Sequence, residues 1–391
     1  MTNSAGFAWQ PRYVSRFLCD GSKCDSLCCR AWDITVDDGT YERYRQLEDP
    51  AGKKFILNNI KNLPGGSGRL IKMDRTKVCP FLCNDLLCHI QRSYGAEALS
   101  QTCRSFPRHL VQLYSFHLRS LSMVCPVAAS LALLPAGAMT MEPVGRSGED
   151  TGWESLNFER NEKSEALSRL IEGIVLGGIS ILQNKIYTRE QRLFILGLYL
   201  DRADELLKQE NAIELVAGLT KTYQTEGFRQ ELRPVFGAFA FDGKGHAAFM
   251  QELINGLRAK DILPDTALQE DFPPFPAHFP AVHFTPDATG GNMLDNLLAQ
   301  EFIHHGYPFR VDDTLMHNYL IFLQSWALWR YWLFNAHRKA NGPLSPRGFI
   351  RAAGEYCKVA DHTKGYAEVL SQLAEKYRDT PMLLIQKLIW L

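Results

Sequence analysis

Cys19-Asp20-Gly21-Ser22-Lys23-Cys24-Asp25-Ser26-Leu27-Cys28-Cys29 opens a run of cysteines that continues as Cys79-Pro80-Phe81-Leu82-Cys83, Cys88, Cys103 and Cys125. Nine of the ten cysteines fall in this stretch, and Cys357 stands alone far beyond it. Thiolates a few residues apart on a loop converge on one soft cation or cluster without closing long loops. The clustering therefore reads as a metal site. Disulfide pairing suits a secreted chain, and the N-terminal MTNSAGFAWQPRYVSRF lacks the apolar run of a signal peptide. A reducing, cytoplasmic setting is expected. Adjacent Cys28 and Cys29, flanked by Lys23, Asp25 and Arg30, are poor material for an ordinary apolar core.

Around these cysteines the first 135 residues mix short elements with loops, a texture that needs a metal to staple it. Asp37-Asp38-Gly39-Thr40 predicts a helix start ahead of Tyr41 and Tyr44. Pro64-Gly65-Gly66-Ser67-Gly68 predicts a turn, followed by a short strand over Leu70-Ile71-Lys72-Met73. Leu110 to Leu113 and Phe116 to Leu121 read as a hairpin leading to Cys125-Pro126, with Pro126 in the first turn of a helix.

From about Asn157 the pattern becomes helical. Leu167, Leu170, Ile171, Ile174 and Val175 repeat at helical spacing within a helix predicted over Ser164 to Gln183. Thr188 with Gln191, and Asn211 with Glu214, have the form of capping boxes. A long helix is expected from Thr314 to His337, ending at Asn341-Gly342-Pro343, with further helices starting near Ser345-Pro346 and Asp361. The expected organisation is a cysteine-rich metal module (1–135), a middle helical region (157–272), a Pro/aromatic connector (273–291) and a C-terminal helical region (292–391). The fold class is mainly α: a loop-rich N-terminal module with short strands, then a large helical region.

Other motifs weigh less. Trp326, Trp329 and Trp332 recur at helical spacing and read as core. His304-His305, His278 and His283 lack the i, i+4 spacing of metal-binding helices and read as solvated or structural. Gly243-Lys244-Gly245-His246 follows no convincing strand, so it is not a phosphate loop, and no doubly wound nucleotide domain is supported. The chain has 43 basic and 43 acidic residues, which announces neither a nucleic acid nor an anionic membrane. Its longest apolar stretches are broken by Glu172, Asn318 and Arg330, so no membrane span is expected. Spacing leaves the metal open. Two C-x2-C knuckles typical of zinc ribbons are absent, and intervals of four, three and zero residues suit an iron–sulfur cluster at least as well.

The residues flanking the cysteines narrow this reading. Tyr13-Val14, Phe17, Cys19, Gly21-Ser22, Cys24, Cys28-Cys29, Trp32, Ile34, Thr40-Tyr41, Cys79-Pro80-Phe81-Leu82, Leu87-Cys88 and Ile90 resemble the bacterial flagellin lysine-N-methylase family. So do Leu99-Ser100, Thr102-Cys103-Arg104, Pro107-Arg108, Ser120-Leu121-Ser122 and Cys125-Pro126, with weaker support from Asn318-Tyr319-Leu320. The cysteine pattern also resembles small zinc- or iron-chelating proteins with a paired-cysteine motif. The resemblance covers about the first 130 residues. Cys83 lies outside the pattern, and Val127 and Ser130 stand where the family has an acidic and a basic residue.

The resemblance implies methyl transfer from S-adenosylmethionine to lysine amines of flagellin, a 4Fe-4S cluster in place of zinc, and a fold other than the doubly wound methyltransferase sheet. It implies metal ligands among Cys19, Cys24, Cys28, Cys29, Cys79, Cys88, Cys103 and Cys125, first of all Cys24, Cys28, Cys29 and Cys79 or Cys88. Asp25, Asp33, Tyr41, Glu42, Asp85, His89 and His109 are the bases nearest in sequence, and no one of them is singled out as catalytic. The competing readings are a non-catalytic iron- or zinc-delivery protein and a scaffold whose metal only holds the fold.

Overall fold

The computed structural model describes residues 7–389 apart from 20, 22–23, 25–26, 31–32, 64–67, 146–153, 158–164, 239–241, 264–292 and 364. The connector over 273–291, His278, His283, Trp32 and most of the 64–68 turn lie outside the described residues. The fold is mainly α, as expected, with fifteen α-helices and seven strands among the described residues.

The chain enters as β1 (Phe7–Pro11) and then builds a small unit from α1 (Asp38–Arg45), α2 (Pro50–Asn58), β2 (Ile60–Asn62), β3 (Arg69–Ile71), α3 (His89–Tyr94) and α4 (Gln101–Ser105). Asp37 caps α1 by accepting from the Thr40 amide, as the sequence suggested. β2 and β3 form a two-stranded antiparallel sheet. β4 (Arg108–Leu113) and β5 (Phe116–Leu121) form the expected hairpin, closed by Tyr114 at φ 56° and Ser115. α5 (Pro126–Leu133) follows with Pro126 in its first turn. β6 (Met141–Gly145) and β7 (Glu154–Asn157) complete a mixed sheet of order β6-β1-β5-β4-β7. Its antiparallel β1–β6 and β4–β5 pairs exclude a doubly wound parallel sheet.

Ten further helices follow this sheet among the described residues, beginning with α6 (Glu165–Gln183), α7 (Arg189–Leu206) and α8 (Ala212–Thr222). Thr188 and Gln191 make the full capping box of α7. The second expected box does not form: Asn211 lies at φ −103°, ψ 31°, outside the extended conformation that aims a cap side chain at the next turn, and makes no such bond. α9 (Glu226–Gly237) and α10 (Gly243–Ala259) follow, and Gly243-Lys244-Gly245 is the first turn of α10, with Asp242 accepting from the Gly245 amide. α11 (Met293–His304) leads to the central α12 (Leu315–Lys339), which is capped by Thr314. Next come α13 (Pro346–His362), α14 (Tyr366–Glu375) and α15 (Pro381–Leu388), which makes ten helices after β7. Asp361 does not start a helix. It sits in the last turn of α13, and the break comes at Gly365, whose φ of 90° favours glycine. No helix among the described residues is long and apolar enough to cross a membrane.

Two cores result. The large one joins β4, β5 and α5 to the helices and buries Trp326 and Trp329 completely, so the tryptophan stripe is core. The small one contains Ile34, Val36, Tyr44, Ile56, Phe81, Ile90 and Leu99, with Cys29, Cys88 and Cys103 packed against it. Tyr13, Val14 and Leu121 belong to the large core, so the two cores part inside the expected 1–135 module.

Candidate metal centre

Local structure gathers the cysteines from four chain segments. Cys28 and Cys29 occupy a single 3-10 turn, and the Cys29 carbonyl accepts from the Cys79 amide at 2.9 Å, tying the first cysteine loop to the second. Arg30 bridges Val78 beside this tie, and Leu82 bridges Cys88. Cys88 immediately precedes α3, Cys103 lies in α4 with its amide donating to Ser100 Oγ, and Cys125 immediately precedes α5. The result is one cavity of about 130 Å3 lined by Cys19, Cys24, Cys28, Cys29, Cys79, Cys88, Cys103 and Cys125. These are the eight cysteines singled out in the sequence. Cys83 is not among them: its Sγ accepts from Arg92 Nη2 at 3.4 Å. Cys357 is buried against Asp361 and the Met123 backbone.

The rest of the wall is mostly apolar, with Ile34, Ile71, Phe81, Ile90 and Leu99 contributing alongside polar Gln91 and Ser100, and among the described residues it holds no Lys or Arg. Burial pushes the thiols of Cys103 and Cys125 up to about 12. Cys28 is raised by its contact with Cys29 at 3.9 Å and by burial. Backbone N–H groups of the following helices work the other way at Cys88 and Cys125, offering donors to the sulfur. Sulfurs packed this densely in an apolar wall become thiolates when a cation enters, which is the donor chemistry of a thiolate-bound metal. The residues present therefore fit such a group. Among the described residues no three cysteine sulfurs lie within 4.8 Å of one another. Thiolates on one tetrahedral zinc, each about 2.3 Å from the ion, cannot be more than about 4.6 Å apart. Thiolates on separate irons of a cluster spread more widely.

The described bases nearest in sequence do not line the cavity. Asp33 is exposed, Glu42 pairs with Arg45, Asp85 pairs with Arg92, Tyr41 lies under Arg69, His89 stacks on Phe55, and Asp25 is outside the described residues. His109 is buried on β4 with its ring 4.3 Å from that of His304.

Two arrangements were not visible in the spacing. The first is a cleft of about 1,070 Å3 that shares Cys24, Pro126 and Val127 with the cysteine cavity and runs along α13 past Arg347, Arg351, Glu355 and Lys358. The second is a buried polar network. Glu301 accepts from Ser325 Oγ at 2.6 Å and Trp329 Nε1 at 2.8 Å, with His305 at 3.4 Å. Burial favours the protonated Glu301 carboxyl, but these partners outweigh it and hold its pKa below the ordinary value. His304 bonds Ser120 at 2.9 Å and faces Asp361 at 3.4 Å. His304 and His305 are thus structural and buried, not solvated. Their signal in the sequence was three ionisable residues, Glu301, His304 and His305, in an otherwise apolar helix end.

The family model described as FliB lysine N-methylase C-terminal domain matches residues 178–275, from the second half of α6 through α10 and into residues outside the described set. The flagellar biosynthetic protein FliU of Salmonella muenchen is 36% identical over 136 residues, covering 34% of this chain and 80% of that protein. The lysine-N-methylases of Salmonella typhimurium and Salmonella choleraesuis are also 36% identical over 136 residues, which is 34% of this chain and 34% of each of them. The matched region thus spans about a third of those two relatives. No solved structure matches the chain. With a FliB domain in its helices and four fifths of a FliU protein covered at this identity, the chain belongs to the flagellin lysine-N-methylase family.

Proposed function

We propose that this protein methylates lysine side chains of flagellin in the cytoplasm, with S-adenosylmethionine as methyl donor and a 4Fe-4S cluster held in the cysteine cavity. The observation that carries the reading is the convergence of eight cysteines from separate segments on one cavity, which shares Cys24, Pro126 and Val127 with a neighbouring cleft. The names of the relatives, lysine-N-methylase and flagellar biosynthetic protein, support the substrate and reaction class.

Cys24, Cys28, Cys29 and Cys79 or Cys88, all of which line the cavity, are the first candidates to hold the cluster. The Cys28 and Cys29 sulfurs lie 3.9 Å apart, and the Cys79 amide donates to the Cys29 carbonyl at 2.9 Å. Four suffice for one cluster, and the remainder of the eight stabilise the loops. When bound, the cluster supplies an iron with an open position, a Lewis acid that orients the amino and carboxylate groups of a methyl donor. Methyl transfer itself needs the lysine amine neutral and in line with the sulfonium methyl. An apolar wall disfavours the ammonium form and so contributes to that deprotonation.

The test is anaerobic purification followed by iron and sulfide analysis, absorption spectroscopy and a methyl-transfer assay with labelled S-adenosylmethionine and flagellin. Stoichiometric iron and sulfide with label on flagellin lysines is the expected result. Zinc in place of iron sinks the cluster, and a protein that binds the donor equally well before and after cluster removal sinks the cluster's part in donor binding. Label that never reaches flagellin sinks the reaction.

A further inference from the structure

An open cavity of about 330 Å3 lies at the start of β1 and β5, lined among the described residues by Phe7, Trp9, Ser115, Phe116, Pro143 and Glu172. Strand geometry explains how three aromatic side chains meet there. Phe7 and Trp9 are two apart on β1 and so share one face of the sheet. Trp9 is level with Pro143 on antiparallel β6 and with Leu118 on parallel β5, and two residues back along the parallel pair stand Phe7 and Phe116. Phe7 is level with Gly145, where an added Cβ would meet nothing within 4 Å, so that side stays open. Glu172, on α6, reaches this face and accepts from Trp9 Nε1 at 2.9 Å through Oε1. Among the described residues no Lys or Arg pairs with this carboxylate.

A carboxylate without a counter-ion beside aromatic side chains selects a cation. At about 330 Å3 the cavity is at the small end of ligand sites, with room for the head of a side chain and too little for a cofactor. An unmodified ammonium is compact and strongly hydrated, so an open aromatic wall competes poorly with its water. Methyl groups spread the charge, weaken that hydration and add apolar surface, which is how aromatic cages hold quaternary ammonium and methyl-lysine groups. A mono- or dimethylated ammonium also keeps an N–H for the second oxygen of Glu172, and a trimethylated one has none. Phe7 is 68% exposed at the lip, an aromatic side chain that such a ligand would cover.

The position of the cavity adds to its chemistry. β1 leads on to Phe17 and Cys19, and β5 to Cys125, all of which line the cysteine cavity. Pro107 lines it too, and its carbonyl accepts from the Ser122 amide just past the end of β5. The two cavities therefore lie at opposite ends of one parallel strand pair. The six residues of β5, at about 3.3 Å each, put them on the order of 20 Å apart. Extended chain spans that distance in about six residues.

We infer that this cavity binds a methylated lysine of the protein substrate, so that one modified lysine anchors the substrate while another is presented at the cysteine cavity. The inference rests on the lysine-methylation reading above and adds a site for the product of that reaction.

The test uses the full chain, purified anaerobically with its metal. Fluorescence anisotropy measures binding of labelled peptides that carry a single lysine among glycines and serines, in unmodified, dimethyl and trimethyl forms. Wild type is compared with Phe7→Ala, Phe7→Tyr and Glu172→Gln. The first two change an exposed side chain, and the third keeps an acceptor for Trp9. The dimethyl peptide is expected to bind wild type at least about fivefold tighter than the unmodified one. Phe7→Ala should weaken it by about threefold to tenfold, and Phe7→Tyr by less than about twofold. Glu172→Gln should weaken the dimethyl peptide more than the trimethyl one, because only the former donates to the carboxylate. In the methyl-transfer assay, a peptide with a dimethyl-lysine about six residues from a free lysine should show a lower KM than its unmethylated counterpart, and Phe7→Ala should erase the difference. Equal affinity for methylated and unmodified peptides overturns the inference, as does a methyl preference that survives both Phe7→Ala and Glu172→Gln. Free choline that binds as tightly as the dimethyl peptide assigns the cavity to a small ammonium ion and also overturns it. Methyl-dependent binding without any methyl transfer to flagellin leaves the binding site standing and sinks the reaction. Methyl transfer without a methyl preference in binding does the reverse.

Discussion

Trp326 and Cys79 are both buried, at 0% and 5% exposure, yet their surroundings differ in kind. Trp326 sits on α12 within a continuous apolar core drawn from β4, β5, α5 and most of the helices. Cys79 belongs to a satellite core of ten buried residues, one of them a cysteine, spread over short helices and three-residue strands. A core that small supplies little beyond the entropy cost of ordering its loops, and small units of this kind depend on a metal or cross-links. The helical region needs no such help. On the proposed reading the contrast gives the cysteines two tasks, since ligands that set up a reaction centre would also hold the loops that carry them.

The largest effect should come from removing the metal. Stripping it from the reduced protein, or introducing Cys28→Ser with Cys29→Ser, is expected to unfold residues 27–103 while α12 stays folded. Thiolate-bound metals contribute on the order of 10 kcal/mol to the units they hold. Hydrogen exchange read by peptide is the measurement: protection should vanish over α1–α4 and persist over α12. Equal loss in both regions would merge the two cores into one cooperative unit, and no loss in either would make the satellite core self-sufficient.

The mirror experiment attacks the helical core. Trp326→Ala should cost about 3–5 kcal/mol through the cavity it leaves. Trp326→Phe should cost under about 1.5 kcal/mol, because the buried indole N–H has no hydrogen-bond partner to lose. Thermal unfolding followed by circular dichroism checks both, and the metal content should match wild type. A tryptophan variant that folds yet loses metal would show that the cores are coupled.

A smaller effect probes how α11 is held to α7. Asp295 meets Arg192 at 2.7 Å and Arg189 at 3.0 Å, with Lys185 also paired. Burial alone raises this carboxyl, but the three cations outweigh it and bring its pKa down to about 2. A folded pKa below the unfolded one adds stability that is fully present above the unfolded value and is lost as pH falls from about 4 towards 2. The gain at neutral pH is about 2 kcal/mol. Asp295→Asn should remove it and flatten the acid limb of a stability–pH profile measured by urea unfolding. An unchanged acid limb would place the titrating group elsewhere.

What the sequence disclosed follows from which interactions are local. The cap at Thr188, the hairpin turn at Tyr114 and the cysteine loops are set by neighbours in the chain, and they were legible. Asn211 shows the limit, since the residue type suits a cap but its backbone does not adopt the extended conformation seen at Thr188. Asp361 was read as a helix start because nothing local marks it as the continuation of α13, and its His304 and His305 partners lie more than fifty residues away. The cleft was illegible for the same reason: no spacing rule places Cys24 opposite Lys358. Convergence of several cysteines was expected from the short spacings within their loops, and the set of eight from the family resemblance.

The smallest predicted effect tests whether the boundary of the cysteine site is drawn correctly. Cys83 and Cys88 occupy one loop, and the Cys83 amide bonds the Leu87 carbonyl at 2.9 Å, so the two share a backbone frame. Only Cys88 lines the cavity. Cys83 turns towards Arg92, whose guanidinium also pairs with Asp85 at 2.7 Å, so that Arg92 keeps a partner without the sulfur. Cys83→Ala should therefore change stability by no more than about 0.5 kcal/mol and leave the iron content untouched, whereas Cys88→Ala lowers it. Iron per chain for the two variants, purified side by side, decides the matter. Equal losses would mean that the loop turns over when metal binds and brings Cys83 inward. The division between ligand and bystander would then be a property of the metal-bound loop, and the satellite core would owe its shape to the metal as well as its stability.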